Sequence, residues 1–256
     1  MSAARVELRT DDGMLDVHVF TPDVDSGPWP GVVVYMDAFG IRPALAEMAQ
    51  RLASIGYVVA VPNLYYRTPF APFDPKDVAA DGPERDRFRG MIASINHAMV
   101  MRDTGVVMKW LDGHPVVQKG GLGALGYCMG GGYALSAAGT FPDRVVVAAS
   151  FHGGSLATDK PDSPHRLAGR MRARVYVGAA EFDASFPPDQ QNRLAHALTE
   201  AGVAHTIEIY ANAKHGFAVN GHLAYDCESS ERHWQRLRGL LEETLSPPRP
   251  GEGVLR

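Results

Sequence analysis

Apolar and polar positions along the chain predict strands and helices in alternation. Residues 31–36 form a continuous apolar run, which is typical of a strand covered on both faces of a parallel sheet. Residues 44–55 then place apolar side chains at helical spacing, with Pro43 suited to the first turn and Gly56 to the end. Residues 57–61 predict the next strand. Strand, helix and strand in this order are the unit of a parallel sheet.

The same alternation continues over most of the chain. The pattern predicts an initial antiparallel pair at residues 6–8 and 15–20, further strands at 121–125, 145–151, 174–179 and 206–210, and helices at 85–110 (in one piece or two), 130–140, 188–201 and 225–245. The predicted fold is therefore a single α/β domain over residues 1–246, with a mainly parallel central sheet and helices on both faces. Residues 247–256, which include three prolines and two glycines, are expected to be a mobile tail.

Composition narrows the classes of protein that fit this pattern. The 256 residues are 45% hydrophobic and 21% charged, which suits an ordinary globular chain with one sizeable core. A net charge of −4 gives no indication of a basic surface that would bind nucleic acid or a membrane. The start of the chain is polar, and no apolar run approaches the ~20 residues of a membrane span. With only two cysteines and no zinc spacing, a reduced cytoplasmic protein is expected.

Residues 126–130 read Gly-Tyr-Cys-Met-Gly, the thiol form of the G-x-S-x-G nucleophile elbow. In such an elbow a strand turns sharply into a helix, and flanking glycines avoid collisions with the neighbouring backbone. Cys128 would then stand at the N-terminus of a helix, whose positive end favours a thiolate. The structural alternative is that Cys128 is a small buried apolar residue, as most free cysteines are.

A competing motif overlaps the elbow, because residues 121–126 also match the dinucleotide fingerprint G-x-G-x-x-G. That fingerprint must follow a strand and open a helix, with an acidic residue ~20 positions further on. Here the matching residues are themselves the predicted strand, and a turn precedes them. Small residues in a crowded central strand explain the pattern better, and no cofactor is expected.

Two partners for a nucleophile follow in the chain order of hydrolases with this elbow, an acid and then a histidine. Asp183 lies after the predicted strand at 174–179, and His215 lies after the next one. The three residues would thus meet at the sheet edge where open α/β sheets place their sites. Glu181 is a rival for the acid, but Asp183 lies further into the loop, where a facing histidine is easier to reach. His215 would move the thiol proton, and Asp183 would orient the ring.

Other candidate site residues follow from position alone. The backbone N–H groups of Met129, directly after the nucleophile, and of Ala38, after the third strand, would form an oxyanion hole. Tyr66, Arg67 and His152 each follow a strand at the active edge. Packing or surface exposure explains each of these three equally well. No His, Asp or Glu stands at metal spacing around His152, so no metal site is expected.

Four segments together resemble the dienelactone hydrolase family, also called carboxymethylenebutenolidases. They are M-D-A-F-G at 36–40, A-V-P-N-L-Y at 60–65, G-Y-C-M-G-G at 126–131 and H-G-F at 215–217. The resemblance covers about residues 6–245 and implies an α/β-hydrolase fold with a Cys-Asp-His triad and no metal. It also implies a small-molecule ester or lactone as substrate, hydrolysed through a thioester-type acyl-enzyme. Asp37 and Phe217, within these segments, are expected near the substrate.

Two positions depart from the family pattern. Asp37 stands where the family has a glutamate that engages the resting thiol, and being one methylene shorter it is expected to be loose or differently aimed. Val219 replaces an arginine that reads a substrate carboxylate in the family. The cations that remain as substitutes are Arg67, Arg85, Arg87 and Arg89.

Three functions stay open at this point. A cysteine-dependent ester or lactone hydrolase is favoured over an acyl transferase or thioesterase on the same fold. A catalytically silent binding protein is the third reading. The proline-rich segment 68–83 is the expected mobile cover of the site. No pattern in the sequence predicts an oligomeric state.

Overall fold

The computed structural model describes residues 2–22 and 27–246, so the predicted tail at 247–256 lies outside the described residues. The strands are β1 (Ser2–Thr10), β2 (Gly13–Thr21), β3 (Gly31–Tyr35), β4 (Val58–Pro62), β5 (Leu122–Tyr127), β6 (Val145–Phe151), β7 (Arg174–Phe182) and β8 (His205–Lys214). The helices are α1 (Pro43–Ser54), α2 (Pro83–Ala93), α3 (His97–Gly113), α4 (Met129–Thr140), α5 (Pro188–Glu200) and α6 (Cys227–Thr244), and a 3₁₀ helix spans Pro164–Arg170.

The eight described strands form one sheet in the order β1-β2-β4-β3-β5-β6-β7-β8. Strands β3 to β8 all run parallel, whereas β2 pairs antiparallel with both β1 and β4. The prediction of a mainly parallel sheet is confirmed. Because parallel strands end on the same side, the loops after β3, β5, β7 and β8 meet along one edge.

Helices cover both faces of the sheet, as predicted. Tyr35 and Gly126 are register partners in β3 and β5, so they face the same side, and Tyr127 faces the other. The Tyr35 hydroxyl lies 2.9 Å from Thr104 Oγ1 of α3, whereas the Tyr127 hydroxyl lies 3.1 Å from His233 Nε2 of α6. The helices α3 and α6 therefore lie on opposite faces.

The predicted helix over 85–110 is two helices, separated by residues 94–96. Asn96 has an extended backbone, and its side chain accepts a hydrogen bond from Met99 N at 3.0 Å, which caps the start of α3. The break lets α2 leave the sheet and lie over the edge where the strands end.

Candidate active site

Cys128 lies between β5 and α4, in the left-handed backbone region with φ 54° and ψ −122°. A Cβ added to Gly126 would lie 1.9 Å from the Gly130 carbonyl oxygen, and one added to Gly130 would lie 2.3 Å from the Tyr35 carbonyl oxygen. These contacts confirm that both glycines are needed for the strand to turn directly into the helix. The turn leaves the Cys128 side chain half-buried at the helix N-terminus.

Asp183 and His215 come together with Cys128 at the carboxyl ends of the strands. His215 Nδ1 lies 2.7 Å from Asp183 Oδ2, and the Asp183 side chain is only 2% exposed. Cys128 and His215 line the same cavity, and the charge of Cys128 acts on this imidazole. With its Nδ1 proton donated to Asp183, the ring keeps Nε2 available to accept a proton.

Ser185 is a member of this cluster that the sequence analysis missed. Its hydroxyl donates to Asp183 Oδ1 at 2.6 Å, and its backbone N–H donates to the same oxygen at 2.9 Å. The hydroxyl also lies 3.1 Å from His215 Nδ1. An Asp followed two residues later by Ser is a common turn signal, but the sequence alone does not say that the carboxylate in the turn faces a histidine.

The electrostatics favour a charged imidazole beside a charged carboxylate. Burial of the ring acts to lower the pKa of His215, but the charge of Cys128 and the hydrogen bond to Asp183 outweigh burial and raise that pKa to about 10. Burial likewise acts to raise the pKa of Asp183, yet the hydrogen bond to His215 holds it below its ordinary value. Cys128 and Asp183 thus both favour the protonated form of His215, which is the form that arises when the ring takes a proton from the thiol.

Glu181, the rival acid, points away from this cluster. It is exposed near the end of strand β7, and its carboxylate accepts a hydrogen bond from Asn212 N at 2.7 Å. Of the two carboxylates after the strand, Asp183 alone contacts His215 in the described part of the chain.

Two backbone N–H groups near Cys128 are free to bind a ligand. Among the residues that the structure describes, neither Ala38 N nor Met129 N donates a hydrogen bond within the protein. Both residues line the same cavity as Cys128. The Tyr65 hydroxyl donates to the Ala38 carbonyl oxygen at 3.1 Å, which fixes the peptide that follows Ala38. Sequence reasoning predicted a role for the two N–H groups but missed the tyrosine that fixes the adjoining peptide.

A cavity of about 650 Å³ opens over Cys128 and His215. Its walls come from α2 and the residues before α3, from the start of α4, and from the loop after β6. Segment 68–83, the expected cover, contributes no lining residue. Instead its Phe73 packs edge-on against Phe88 of α2 with ring centroids 5.2 Å apart, so the segment supports the wall from behind. The expectation that this segment covers the site is therefore corrected, because α2 forms that wall of the cavity.

His152 and Phe217 lie beneath the cluster rather than along the cavity. His152 Nδ1 accepts a hydrogen bond from Cys128 N at 3.2 Å, and its ring packs edge-on against both His215 and Phe217 with centroids 5.3 Å apart. Both residues are fully buried, and burial holds the pKa of His152 well below its ordinary value. A neutral His152 thus supports the backbone of the elbow without adding charge.

Tyr66 and Arg67 do not line the cavity, which corrects their assignment to the pocket. The Tyr66 hydroxyl donates to Asp103 Oδ1 at 3.0 Å, and Arg67 binds both oxygens of Asp103 at 2.9 Å. Arg67 also contacts Asp12 at 2.7 Å. These contacts tie the first hairpin to α3, so the two side chains are held away from the site.

Asp37 is buried beside the site with its carboxylate turned to Arg42. The two oxygens lie 2.8 and 2.7 Å from Arg42 Nη1, and one of them also accepts from Phe39 N at 3.0 Å. Burial raises the pKa of Asp37, and the Arg42 charge opposes that rise. Asp37 does not line the cavity, which corrects its assignment to the pocket.

The cations of the cavity are Arg89 and Lys160, and Asp162 lies among the same lining residues. Val219 is fully buried. Arg85 and Arg87 pair with Asp81 and Glu84 outside the cavity. Of the four arginines considered as substitutes for the family's carboxylate-binding arginine, only Arg89 is among the residues that line the cavity.

Within residues 2–22 and 27–246, no group of three or more His, Cys, Asp or Glu side chains is placed to hold a metal ion. None of the described helices combines the length and the apolar character that crossing a membrane requires.

Comparison with known proteins gives a consistent result. Residues 15–245 match the model of the dienelactone hydrolase family. A Synechocystis protein named "putative carboxymethylenebutenolidase" is 26% identical over 222 residues, covering 86% of this chain and 88% of its own. The crystal structure of a Klebsiella pneumoniae dienelactone hydrolase homologue superposes with a TM-score of 0.83 at 25% identity, covering 94% of this chain and 98% of the other. A dienelactone hydrolase-like promiscuous phosphotriesterase from metagenomic libraries superposes with a TM-score of 0.78.

Proposed function

Because the chain belongs to the dienelactone hydrolase family and has its α/β-hydrolase fold, we propose that it hydrolyses a carboxylic ester or lactone with Cys128 as the nucleophile. The observation that carries this proposal is that Cys128 and His215 line one cavity at the sheet edge, with His215 held by a 2.7 Å hydrogen bond to Asp183. A binding protein has no need of a strained nucleophile elbow, and a strained backbone is kept where function requires it.

The first half-reaction acylates the cysteine. His215 takes the thiol proton, and the sulfur attacks the carbonyl carbon of the substrate. The N–H groups of Ala38 and Met129 bind the oxyanion that forms. The carbon–oxygen bond to the leaving group then breaks, His215 protonates the leaving oxygen, and a thioester to Cys128 remains.

The second half-reaction returns the free enzyme. The leaving alcohol departs, or in a lactone stays joined to the acyl chain as a hydroxyl group. Water gives a proton to His215 and attacks the thioester carbon, with the oxyanion held by the same two N–H groups. Breaking the carbon–sulfur bond releases the carboxylic acid, and the proton on His215 returns to the sulfur. Asp183, fixed by Ser185, keeps the imidazole oriented through both steps.

The acyl-enzyme is the direct test of this proposal. The protein is mixed with p-nitrophenyl acetate, quenched in acid within the first turnover, and its intact mass and Cys128 peptide are measured. We expect a mass increase of one acetyl group on Cys128. Acetate should be the product with or without added methanol, because a transferase would give methyl acetate instead. Rapid turnover with no acetyl group on Cys128 would refute covalent catalysis by this residue.

For alkyl esters, the decrease of kcat/KM at alkaline pH (the alkaline limb of the profile) should occur at an unusually high pH. The imidazolium of His215 must protonate an alkoxide leaving group, and its pKa is about 10, because the charge of Cys128 and the hydrogen bond to Asp183 outweigh burial. We therefore expect kcat/KM for a methyl ester to fall only as pH rises through about 10. In Asp183→Asn the limb should move to lower pH, since one group that raises the pKa is lost.

p-Nitrophenyl acetate is the internal control for that profile, because p-nitrophenolate leaves without being protonated. Its kcat/KM should show a weaker alkaline limb on the same enzyme. Equal limbs for the two esters, or no movement in Asp183→Asn, would mean that His215 is not the general acid.

Ser185→Ala should lower activity through the orientation of Asp183. The hydroxyl donates to Asp183 Oδ1 at 2.6 Å, and only the backbone N–H would remain on that oxygen. Loss of one hydrogen bond to a charged group is expected to lower kcat about tenfold with little change in KM. Ser54→Ala, on the exposed end of α1, is the control. A change in KM alone would contradict this positioning role.

A further inference from the structure

We propose that His97 selects the substrate by donating a hydrogen bond from Nε2 to an oxygen atom of the ester or lactone, about one helical turn from the reacting carbonyl. The preferred substrates are then esters or lactones that carry a second oxygen function, such as a ketone, ether or hydroxyl group. This inference rests on the proposed function, because it assigns a binding role in the same cavity.

His97 lies one turn of α4 away from Cys128. It is the first residue of α3 and is half-buried in the cavity wall. A Cβ added to Gly132 would lie 3.4 Å from His97 Cε1, so the ring faces the helix at that position. Gly132 comes four residues after Cys128, which on a helix corresponds to a rise of about 6 Å. A ligand atom at His97 is thus a few bonds from the carbon that Cys128 attacks.

The hydrogen bond to Ser136 fixes which ring nitrogen of His97 carries the proton. Ser136 is buried in α4, and its Oγ lies 2.7 Å from His97 Nδ1. In the described part of the chain this is the one hydrogen bond of that hydroxyl. If Nδ1 were the donor, the hydroxyl proton would be buried without an acceptor, which is costly. The hydroxyl therefore donates to Nδ1, and the proton of the neutral ring is on Nε2.

His97 lines the cavity, and its Nε2 is an unused donor that is accessible to solvent. Among the described residues it accepts and donates no hydrogen bond, and it is not one of the buried side-chain atoms that lack a partner. The ring is held by its edge-to-face contact with Tyr133, with centroids 4.9 Å apart. Burial holds the pKa of His97 below its ordinary value, while the charges of Asp162 and Lys160 act in opposite directions. His97 thus presents a fixed, neutral N–H group.

The His97 N–H group is expected to bind a substrate oxygen more favourably than a substrate methylene. An oxygen acceptor replaces the water that the N–H otherwise binds, whereas a hydrocarbon displaces the water and leaves the donor unpaired. Sites built to bond a polar group discriminate strongly against the analogue that lacks it. We expect the oxygenated substrate to be preferred by about tenfold to a hundredfold in kcat/KM.

The test compares substrates that differ by one oxygen function. In the acyl part, p-nitrophenyl 4-oxopentanoate is compared with p-nitrophenyl pentanoate. In the alcohol part, 2-methoxyethyl acetate is compared with butyl acetate, and hydrolysis is followed by pH-stat. Each rate is corrected for the hydroxide-catalysed rate of the same ester. The parent should prefer the oxygenated member in at least one pair.

Variants separate the donor from the shape of the ring. His97→Phe keeps a ring but removes the N–H, and should abolish the preference. His97→Gln keeps a donor near the position of Nε2 and should retain part of it. Gly132→Ala puts a methyl group between Cys128 and the ring, and should reduce the preference even if His97→Phe fails to fold. His196→Phe, on an exposed part of α5, should leave the preference unchanged.

The outcomes distinguish this inference from the proposed function. If the parent hydrolyses none of the esters, the proposed function fails. If it hydrolyses both members of each pair equally, or if His97→Phe keeps the full preference, the role of His97 is overturned while the hydrolase stands. If both His97 variants lose the preference and Gly132→Ala keeps it, the donor is not acting along the turn of α4 described here, and the proposal is likewise overturned.

Discussion

Cys128→Ala is expected to lower kcat/KM for p-nitrophenyl acetate by about 10⁴-fold to 10⁶-fold, to the residual rate that binding and the oxyanion hole supply. The reason is that, in the proposed mechanism, the sulfur is the atom that forms the bond to the substrate. In that mechanism the rest of the cluster acts through the sulfur, because His215 takes the thiol proton and Asp183 orients His215 through a 2.7 Å hydrogen bond. Alanine keeps the backbone geometry of the elbow as well as cysteine does, since both have a Cβ at φ 54°.

The chain supplies its own control for this prediction. Cys227 is the second free cysteine, and it lies exposed at the start of α6, far along the chain from the elbow. Cys227→Ala should retain full activity, and both variants should melt within a few degrees of the parent. Alkylation by iodoacetamide should inactivate the parent and Cys227→Ala alike. Full activity in Cys128→Ala would exclude the thiol mechanism.

The meeting of Cys128, Asp183 and His215 can be predicted from the sequence because of one rule of parallel sheets. Each of the three follows a predicted strand, and the carboxyl ends of parallel strands lie on one edge. Tyr66 and Arg67 follow a strand in the same way, yet they leave the edge. Buried Asp103, 36 residues from Arg67, holds both of them. Pairing over such separations depends on packing that strand order does not encode.

The side chains that hold the site are harder to predict than those that form it. Ser185 and Tyr65 act through hydrogen bonds to Asp183 and to the Ala38 carbonyl, and both residue types are too common for their sequence positions to indicate such a role. The prediction that segment 68–83 covers the cavity was wrong for a related reason. Proline content favours segment 68–83, but Phe73 packs into the aromatic cluster behind α2, and α2 itself becomes the wall. The position of His97 likewise cannot be predicted from the sequence, because it depends on the packing of α3 against α4.

Gly126→Ala is expected to lower the free energy of unfolding by more than about 3 kcal/mol, because the new Cβ collides with backbone. It would lie 1.9 Å from the Gly130 carbonyl oxygen and 2.7 Å from Gly131 N. No side-chain rotation relieves such contacts, so the first turn of α4 must move away from β5. At this chain length the melting temperature should fall by at least about 6 °C. Activity should fall with it, since the same turn carries Cys128 and the Met129 N–H.

Gly239→Ala separates this effect from a general response to added methyl groups. Gly239 lies in α6, and a Cβ there would meet no atom within 4 Å. Because alanine favours a helix more than glycine does, this variant should gain up to about 1 kcal/mol. Melting curves of the two variants beside the parent provide the measurement. A Gly126→Ala protein that melts like the parent would mean that the elbow can relax, and the strained φ of Cys128 would then not be imposed by its neighbours.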